Sequence, residues 1–243
     1  MEHRLTKKQR RMLRQQDVLE KDNSINTSNF KVDFKPKTDT QAAACRAWDD
    51  GHHLLMHGYA GTGKTYVGMA LALEEVLKNH SKKLVIVRSA VPTRDIGFLP
   101  GTAKQKMEVY EQPYKQIASS LFHRGDAYEI LSNKFMLEFV PTSFVRGTTL
   151  DNCIVLVDEI NNMTFHEIDS VITRLGDNTR CILCGDYRQS DLANTRELSG
   201  ISQFMSVINN MTSFVKMEFK TGDIVRSPLV KEYIITKATM GIV

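Results

Sequence analysis

The sequence contains no apolar run that approaches the roughly 18 residues of a membrane-spanning helix. Its amino terminus is strongly charged and has no apolar segment of the kind found in signal peptides, so a cytoplasmic location is expected. Internal repeats and low-complexity tracts are also missing. The 243 residues are 42% hydrophobic and 25% charged, which is typical of one large folded domain with a sizeable core.

Cysteine is scarce, with four residues, and the spacing of two of them is that of a redox motif. Cys181 and Cys184 lie in an apolar run, and on a strand residues three positions apart face opposite sides of the sheet. We therefore expect small buried thiols rather than a disulfide framework or a redox pair. The seven histidines form no metal-ligand pattern.

Acidic residues are nearly absent from the first 16 residues, where six lysines and arginines accompany Glu2 alone. This segment carries a charge of +5 and the whole chain +4, so the remainder is close to −1. We interpret residues 1–30 as a basic arm with a polar linker, and residues 31–243 as the compact domain. The arm indicates an anionic partner, with nucleic acid first in line; the alternative is a solvated tail that aids solubility.

Strand-like and helix-like patterns alternate through the compact domain. Short runs rich in Val, Ile and Leu predict strands at 54–56, 84–88, 135–140, 154–158, 181–184 and 214–219. Apolar residues that recur every three or four positions predict helices at 40–50, 66–79, 103–122, 164–174, 195–210 and 228–238. The alternation is typical of an α/β fold, an open parallel sheet with helices on both faces and ligands beyond the carboxyl ends of the strands.

The most informative stretch is a glycine-rich turn between the first predicted strand and the next helix, with the G-x-x-x-x-G-K-[ST] pattern of a phosphate-binding loop. Its residues are Gly58, Tyr59, Ala60, Gly61, Thr62, Gly63, Lys64 and Thr65. Glycines let backbone N–H groups point at phosphate oxygens, Lys64 can reach the β and γ phosphates, and Thr65 offers a hydroxyl to Mg²⁺. The helix that begins there adds its positive dipole end, and we count Tyr66 with the nucleotide-binding residues.

Two adjacent carboxylates, Asp158 and Glu159, end the predicted strand at 154–158. Asp158 would hold Mg²⁺ through its water shell, and Glu159 would polarise the attacking water. An acidic turn is the alternative for such a pair in isolation. Because neighbouring carboxylates at the end of a buried strand repel one another, a metal-bound triphosphate accounts for them better.

The strand at 181–184 also ends in a polar turn, Gly185-Asp186, with Gln189 three residues beyond the acid. The amide of Gln189 would donate to the γ phosphate, orient the lytic water and report whether that phosphate is present. The alternative is a polar turn without a sensor role.

Two further side chains have an open interpretation. Thr38 and Gln41 fit a capping box at the start of a helix, but the amide of Gln41 could instead read adenine. Arg226 stands directly before a helix that Ser227 would cap, with Pro228 in its first turn. From there Arg226 could act as a finger on transition-state charge; the alternative is an ordinary surface arginine.

Several segments in the right order resemble the PhoH family, a branch of P-loop ATPases related to superfamily 1 helicases. The matching segments beside the phosphate loop are Asp95-Ile96-Gly97-Phe98-Leu99-Pro100-Gly101, Gln112-Pro113-Tyr114, Phe144-Val145-Arg146-Gly147-Thr148-Thr149-Leu150, Gly185-Asp186 with Gln189 and Asp191-Leu192, and Asp223-Ile224-Val225-Arg226-Ser227. The resemblance spans about 35–233. The sequence departs from the family's usual pattern at Tyr59, often proline, and at Asn161, usually glutamine, and neither change removes a catalytic group.

The resemblance implies a single RecA-like domain that binds ATP and Mg²⁺, with Gln41 as the adenine-reading residue. It leaves the Phe98 loop open: Phe98 and Leu99 would contact nucleic acid by stacking on a base, or fill the core in a tight turn. The chain carries no fused ribonuclease-type domain, so the nuclease activity of some relatives is not implied. The compact domain with a basic arm looks like the phage-borne members, for which the location would be the host cytoplasm.

We expect a Mg²⁺-dependent ATPase coupled to RNA or single-stranded DNA, with Lys64, Glu159, Gln189 and Arg226 as catalytic residues. Helicases hydrolyse ATP between two RecA-like lobes, and this chain has room for one. A ring-like homo-oligomer such as a hexamer is therefore expected, with Arg226 or another arginine acting in trans. The second hypothesis is an ATP-gated binding module with little turnover, and the third is a small-molecule kinase; the pair of carboxylates argues for hydrolysis.

Overall fold

The structure, a computed structural model, describes residues 27–89, 103–186 and 198–241. The strands are β1 (His53–Gly58), β2 (Lys83–Arg88), β3 (Leu137–Pro141), β4 (Cys153–Asp158), β5 (Arg180–Gly185) and β6 (Phe214–Phe219). The α-helices are α1 (Asp39–Asp49), α2 (Lys64–Lys78), α3 (Ala103–Phe122), α4 (Ala127–Asn133), α5 (Thr142–Val145), α6 (Phe165–Ile172), α7 (Leu198–Asn209) and α8 (Pro228–Thr239). Among these described helices, none combines the length and the apolar composition needed to cross a membrane.

The six strands form one parallel sheet in the order β3-β2-β4-β5-β1-β6. This arrangement confirms the predicted RecA-like α/β fold. All carboxyl ends meet at one edge of the sheet, and the loop after β1 is the predicted phosphate-binding loop. The strand order sets the ends of β2, β4, β5 and β1 side by side, so the polar residues that follow them converge.

Side chains along each central strand alternate between two cores, one on each face of the sheet. Leu54 and Leu156 point to the face covered by α1, α2 and α3, whereas Leu55 and Val155 point to the face covered by α6 and α7. Near-continuous apolar strands are the consequence of this burial on both faces.

The cysteines of the strands are buried free thiols, as predicted. Cys153 and Cys181 lie in the core beneath α6 and α7, and Cys184 lies in the core on the opposite face of the sheet. The redox-type spacing of Cys181 and Cys184 therefore has no chemical meaning, because the sheet separates the two sulfurs.

One strand begins two residues later than the sequence predicted, and two short helices were not predicted. The strand expected at 135–140 begins at Leu137, because Phe135 takes a left-handed conformation (φ 56°) in the turn after α4. Helices α4 and α5 span only seven and four residues, too few for a helical period to show in the sequence. The other predicted elements agree with the described ones to within two residues at each end, apart from the start of the helix predicted at 195–210, whose first three residues lie outside the described ones.

The stretch before α1 already belongs to the folded body. The rings of Phe30 and Phe122 lie 4.9 Å apart, and the backbone N–H of Asp33 donates to the carbonyl of Leu121 at 2.9 Å. Packing against the carboxyl end of α3 therefore begins at about the boundary expected between the linker and the compact domain. The basic arm itself, residues 1–26, lies outside the described residues and stays a prediction.

Candidate nucleotide-binding site

Backbone geometry shapes the phosphate-binding loop, Gly58–Thr65. Gly58 has φ 122°, and a Cβ there would lie 2.1 Å from the carbonyl oxygen of Phe219 in β6. Gly61 has φ 75°, and a Cβ there would lie 2.8 Å from Cγ of Arg226. Both positions require glycine for conformation and for space. The loop can therefore curl tightly at the end of β1 and keep its N–H groups turned inward.

Helix α2 starts directly out of this loop. Its N-cap is Gly63 (φ 83°), which has no side chain to accept from the first-turn N–H groups. Those donors and the positive end of the helix dipole are what an anion binds. The loop and helix therefore have the features expected of an anion site, and the phosphate-binding role stays a prediction.

Lys64 lies over the loop. Its ammonium donates to the carbonyl oxygens of Gly58 and Tyr59, both at 2.7 Å, and approaches Oγ1 of Thr62 at 3.4 Å. Burial lowers the pKa of Lys64, and the carboxylates of Asp186 and Asp158 oppose that shift. The ammonium is thus held within the loop by the loop's own carbonyl oxygens.

Asp158 and Thr65 come together as the sequence predicted. Oγ1 of Thr65 donates to Oδ1 of Asp158 at 2.8 Å, across 93 positions of sequence. The carboxylate is only 6% exposed, and burial raises its pKa, opposed by hydrogen bonds from Thr65 and Tyr114 and by the charge of Arg88. A hydroxyl and a carboxylate side by side are hard oxygen donors that fit Mg²⁺. The described residues contain no cluster of three or more His, Cys, Asp or Glu suited to a metal, so the remaining ligands would be phosphate oxygens and water.

Tyr114 is a site residue that sequence reasoning missed. It lies fully buried in α3, and its hydroxyl donates to Oδ2 of Asp158 at 3.0 Å. The two oxygens of Asp158 are therefore fixed by donors on different helices, Thr65 of α2 and Tyr114 of α3. The only signal in the sequence was the family's Pro-Tyr segment, which named the residue without a role.

Glu159 has a strained backbone conformation, and its carboxylate is paired with a guanidinium. Its φ of 53° is a left-handed conformation that non-glycine residues rarely adopt, and it precedes the 3₁₀ turn Ile160–Asn162. One carboxylate oxygen, Oε2, accepts from a guanidinium N–H of Arg88 at 2.5 Å and from the amide of Asn162 at 3.3 Å. Burial raises the pKa of Glu159, the charge of Arg88 lowers it, and Asp158 raises it. The expected water-polarising carboxylate is thus held by a cation.

Arg88 is the second site residue that the sequence did not reveal. It is the last residue of β2, in register with Asp158 of the adjacent β4, so its side chain reaches the carboxylate that follows. Its guanidinium also lies over the ring of Tyr110 in α3, 5.9 Å from the centroid. Its place at a carboxyl strand end was visible in the sequence, but the pairing of β2 with β4 was not.

The end of β5 packs against the turn after β4. A Cβ on Gly185 would lie 2.6 Å from Cγ1 of Ile160, and the side-chain oxygen of Asn161 accepts from the backbone N–H of Asp186 at 3.1 Å. Asn161, one methylene shorter than the family's usual glutamine, still ties the two strand ends together. Gln189 lies outside the described residues, as does the Phe98 loop, so both roles stay predictions.

Gln41 has features of both predicted roles, helix capping and adenine reading. Thr38 caps α1 by accepting from the backbone N–H of Gln41 at 3.2 Å, as one half of a capping box would. The Gln41 side chain does not complete that box: it accepts from Lys37 N–H at 2.8 Å and donates to the Thr62 carbonyl at 2.9 Å. The amide therefore lies against the phosphate loop, 3% exposed, and borders the same cavity as Lys64.

Arg226 borders this cavity from the same chain. The N–H of Val225 donates to the carbonyl of Gly61 at 3.0 Å, and the Arg226 side chain crosses Gly61. Ser227 occupies the N-cap position of α8 and Pro228 its first turn, but Ser227 makes no side-chain cap bond, contrary to the expectation. Arg226 is therefore adjacent to the phosphate loop of its own chain, whereas action in trans was expected.

The residues around the loop enclose a cavity of about 1010 Å³. Apart from the charged groups already described, its lining includes an apolar end formed by Phe34, Tyr66, Pro113 and Ile117. The rings of Phe34 and Tyr66 lie 6.1 Å apart, and the Tyr66 hydroxyl meets Oγ of Ser120 at 3.1 Å. One cavity thus brings the residues of the glycine-rich loop together with carboxylates, among them Asp158 and Glu159, and has an apolar end of the kind a nucleoside needs.

The chain is similar to curated bacterial proteins. A "PhoH-like protein" of Synechocystis is 33% identical over 178 residues, which cover 73% of this chain and 54% of that protein. A "PhoH-like protein" of Bacillus subtilis is also 33% identical, over 73% of this chain and 55% of that protein. "Protein PhoH" of Escherichia coli is 28% identical over 79% of this chain and 55% of that protein. The chain spans about half the length of these relatives.

Among solved structures, the large terminase of a thermophilic bacteriophage in complex with ADP is similar over 81% of this chain and 48% of its own, with a TM-score of 0.48 and 13% identity. The Pif1 helicase of Candida albicans follows the fold over 77% of this chain and 41% of its own, with a TM-score of 0.38 and 11% identity. These likenesses are too distant to bear on activity. The model of the family described as "PhoH-like protein" matches residues 33–238, most of the sequence and all of the cavity lining, and the chain therefore belongs to the PhoH family.

Proposed function

We propose that this protein is a Mg²⁺-dependent ATPase whose turnover is coupled to binding of RNA or single-stranded DNA. The observation that carries the proposal is the convergence of Lys64, Thr65, Asp158 and Glu159 in one cavity. Phosphate neutralisation, metal binding and water activation each have a residue there, which is the set that phosphoryl transfer to water requires.

Each residue would act on a different part of the triphosphate. Lys64 and the N–H groups of the loop would bind the β and γ phosphates, and the apolar end beside Gln41 would take the base. Thr65 and Asp158 would hold Mg²⁺, which when bound supplies positive charge to the phosphate oxygens. Glu159 would accept a proton from the water that attacks the γ phosphorus, and ADP would leave as its bond to that phosphorus breaks.

The contact between Arg88 and Glu159 supports coupling rather than constant turnover. While Oε2 of Glu159 accepts from Arg88, the carboxylate is engaged by a cation and poorly placed to take a proton from water. We infer that hydrolysis needs this pair to open. The same contact favours the second candidate, an ATP-gated binding module, if the pair seldom opens.

The position of Arg226 beside the phosphate loop supports its role as an arginine finger. Because Arg226 crosses Gly61 of its own chain, we propose that it acts on the nucleotide in cis, with Gln189 as the γ-phosphate sensor. A ring-like homo-oligomer such as a hexamer remains part of the proposal, with a neighbouring subunit closing the cavity in place of a second lobe. If the protein stays monomeric in the presence of ATP and Mg²⁺, the proposed oligomer is wrong.

The direct test is steady-state ATP hydrolysis with Mg²⁺, without polymer and with single-stranded RNA or DNA. We expect a low rate that rises with one polymer and vanishes in Lys64→Ala, because the lysine holds the phosphates. Negligible turnover under all conditions, with ATP still bound, would favour the binding module. If the protein bound ATP equally well with and without Mg²⁺, the proposed role of Mg²⁺ at Thr65 and Asp158 would be contradicted.

A further inference from the structure

The segment after β3 presents an aromatic ring to solvent at the edge of the sheet that carries the nucleotide cavity. Helix α5 is a single turn whose Thr142 and Val145 are buried, while Phe144 between them is 68% exposed. Two buried neighbours fix the turn, so the ring is held outward on a rigid support. An aromatic side chain exposed to this degree needs a reason other than core packing.

The surroundings of Phe144 suit a phosphate polymer. The run from Pro141 to Leu150 contains one arginine, Arg146, and no carboxylate, and both Arg146 and Thr149 are exposed. Gly147 has φ 84°, and the space where its Cβ would lie is open, so the backbone is accessible there. We call Phe144 and Arg146 the α5 patch.

We propose that the α5 patch binds single-stranded nucleic acid, with Phe144 stacking on a base and Arg146 contacting a phosphate. An exposed ring beside a guanidinium, in a run of sequence without acids, is the combination that binds single strands with little sequence preference. The proposal rests on the proposed function, which supplies the class of partner, and adds the surface that contacts it.

Hydrogen bonds, together with the peptide bond between Arg88 and Ser89, link helix α5 to Glu159. Oγ1 of Thr142, the first residue of α5, donates to Oε1 of Glu167 at 2.7 Å, and Oγ of Ser89 donates to the same oxygen at 3.0 Å. Ser89 follows Arg88, which pairs with Glu159. A nucleic-acid strand bound at the α5 patch would thus shift Thr142 and Glu167. Through the end of β2, this shift would reach the Arg88–Glu159 pair, which must open for hydrolysis.

The chain offers matched controls at the opposite edge of the sheet. Phe135 precedes β3 and is 85% exposed, so it is an equally accessible ring at the amino end of the same strand. Arg174 is exposed after α6, where its carbonyl accepts from Leu150 N–H ahead of β4. Neither residue lies near the carboxyl edge, so neither should affect a strand bound at α5.

The test measures binding of fluorescent RNA and DNA oligomers of about 12 nucleotides by anisotropy, at several salt concentrations, to the full chain and its variants. Phe144→Ala should weaken binding about tenfold or more, and Phe144→Leu should weaken it as well, because stacking needs the ring. Arg146→Ala should reduce the dependence on salt by roughly one phosphate contact. Phe135→Ala and Arg174→Ala should bind like the unmodified chain, and hydrolysis without polymer should be unchanged in all of them.

Two outcomes overturn different claims. If the unmodified chain binds and Phe144→Ala and Arg146→Ala bind equally well, the α5 patch is not the contact surface, while the proposed function stands. If the unmodified chain binds neither RNA nor DNA, the coupling and the patch both fall. Equal weakening by Phe135→Ala would likewise overturn the location, because that ring lies at the other end of β3.

Discussion

The two sides of the cavity are built in different ways. On the β1 side, eight consecutive residues supply the site, and backbone conformation at Gly58 and Gly61 fixes the loop. On the β2 and β4 side, Asp158 and Glu159 are positioned by side chains from distant elements, Tyr114 and Arg88. The first side is set mainly by its local sequence and backbone conformation. The second depends on tertiary contacts between side chains, and the proposed control over hydrolysis would act there.

The largest expected effect comes from removing the carboxylate on the second side. Glu159→Gln should lower kcat by about 10²–10⁴-fold, because an amide cannot accept the proton of the attacking water. ATP binding should persist, since the phosphate side is untouched. Stopped-flow binding of a fluorescent ATP analogue, beside steady-state hydrolysis, separates the two. A variant that loses binding as Lys64→Ala does would show that the two sides are not separable.

On the first side, the backbone itself is the target. Gly58→Ala would place a Cβ 2.1 Å from the carbonyl oxygen of Phe219 at φ 122°. The strain should cost roughly 2–3 kcal/mol of stability and lower Tm by about 5–10 °C, together with ATP affinity. Gly125→Ala is the control, because nothing lies within 4 Å of its Cβ position. Equal melting curves for both variants would contradict a loop fixed by glycine.

A smaller effect is expected from the hydroxyl that positions Asp158. Tyr114→Phe keeps the buried ring and removes only the donor to Oδ2. The Mg²⁺ concentration for half-maximal binding of a fluorescent ATP analogue should rise by about tenfold, because loss of an outer partner loosens a metal ligand. Tyr128→Phe is the control, since Tyr128 is a buried tyrosine of α4 whose hydroxyl bonds to Glu111 instead of Asp158. An unchanged Mg²⁺ requirement would make Tyr114 a packing residue only.

The sequence predicted the first side of the cavity far better than the second. Glycine spacing, Lys64 and Thr65 lie within one local motif, so the phosphate loop could be identified without a fold. Asp158 and Glu159 were visible because both follow an apolar strand. Arg88 and Tyr114 were not, since their roles arise from β2 pairing with β4 and from α3 crossing the strand ends. Likewise, the contact of Arg226 with Gly61 depends on the chain returning after β6, which no local pattern encodes.

The smallest effect concerns Glu167, the link between α5 and β2. Burial raises its pKa, but hydrogen bonds from Thr164 N–H, Thr142 and Ser89 together bring the pKa below the usual 4.5. A lowered pKa in the folded state adds stability that is present above about pH 4.5 and is lost as the pH falls through the folded value. Glu167→Gln should thus be less stable than the unmodified chain at pH 7, by less than about 1 kcal/mol because solvent screens the partly exposed carboxylate, with the gap closing below about pH 4.5.

Urea unfolding of both proteins at neutral and at lower pH measures that gap. Glu232→Gln, on the exposed surface of α8, is the matched control and should show no gap at either pH. If the difference in stability between Glu167→Gln and the unmodified chain stays constant with pH, the charge of Glu167 contributes nothing to stability.

The proposed coupling requires that Arg88 restrains Glu159 until a polymer binds. The measurement is the rate of ATP hydrolysis by Arg88→Met, with and without single-stranded RNA or DNA, beside Lys83→Met at the amino end of the same strand, where Lys83 pairs with Glu138. We predict that Arg88→Met hydrolyses ATP several-fold faster than the unmodified chain without polymer and gains little from adding it, while Lys83→Met behaves like the unmodified chain. The restraint would be contradicted if Arg88→Met hydrolysed ATP more slowly than the unmodified chain without polymer. It would also be contradicted if that rate were unchanged and the polymer still stimulated hydrolysis fully.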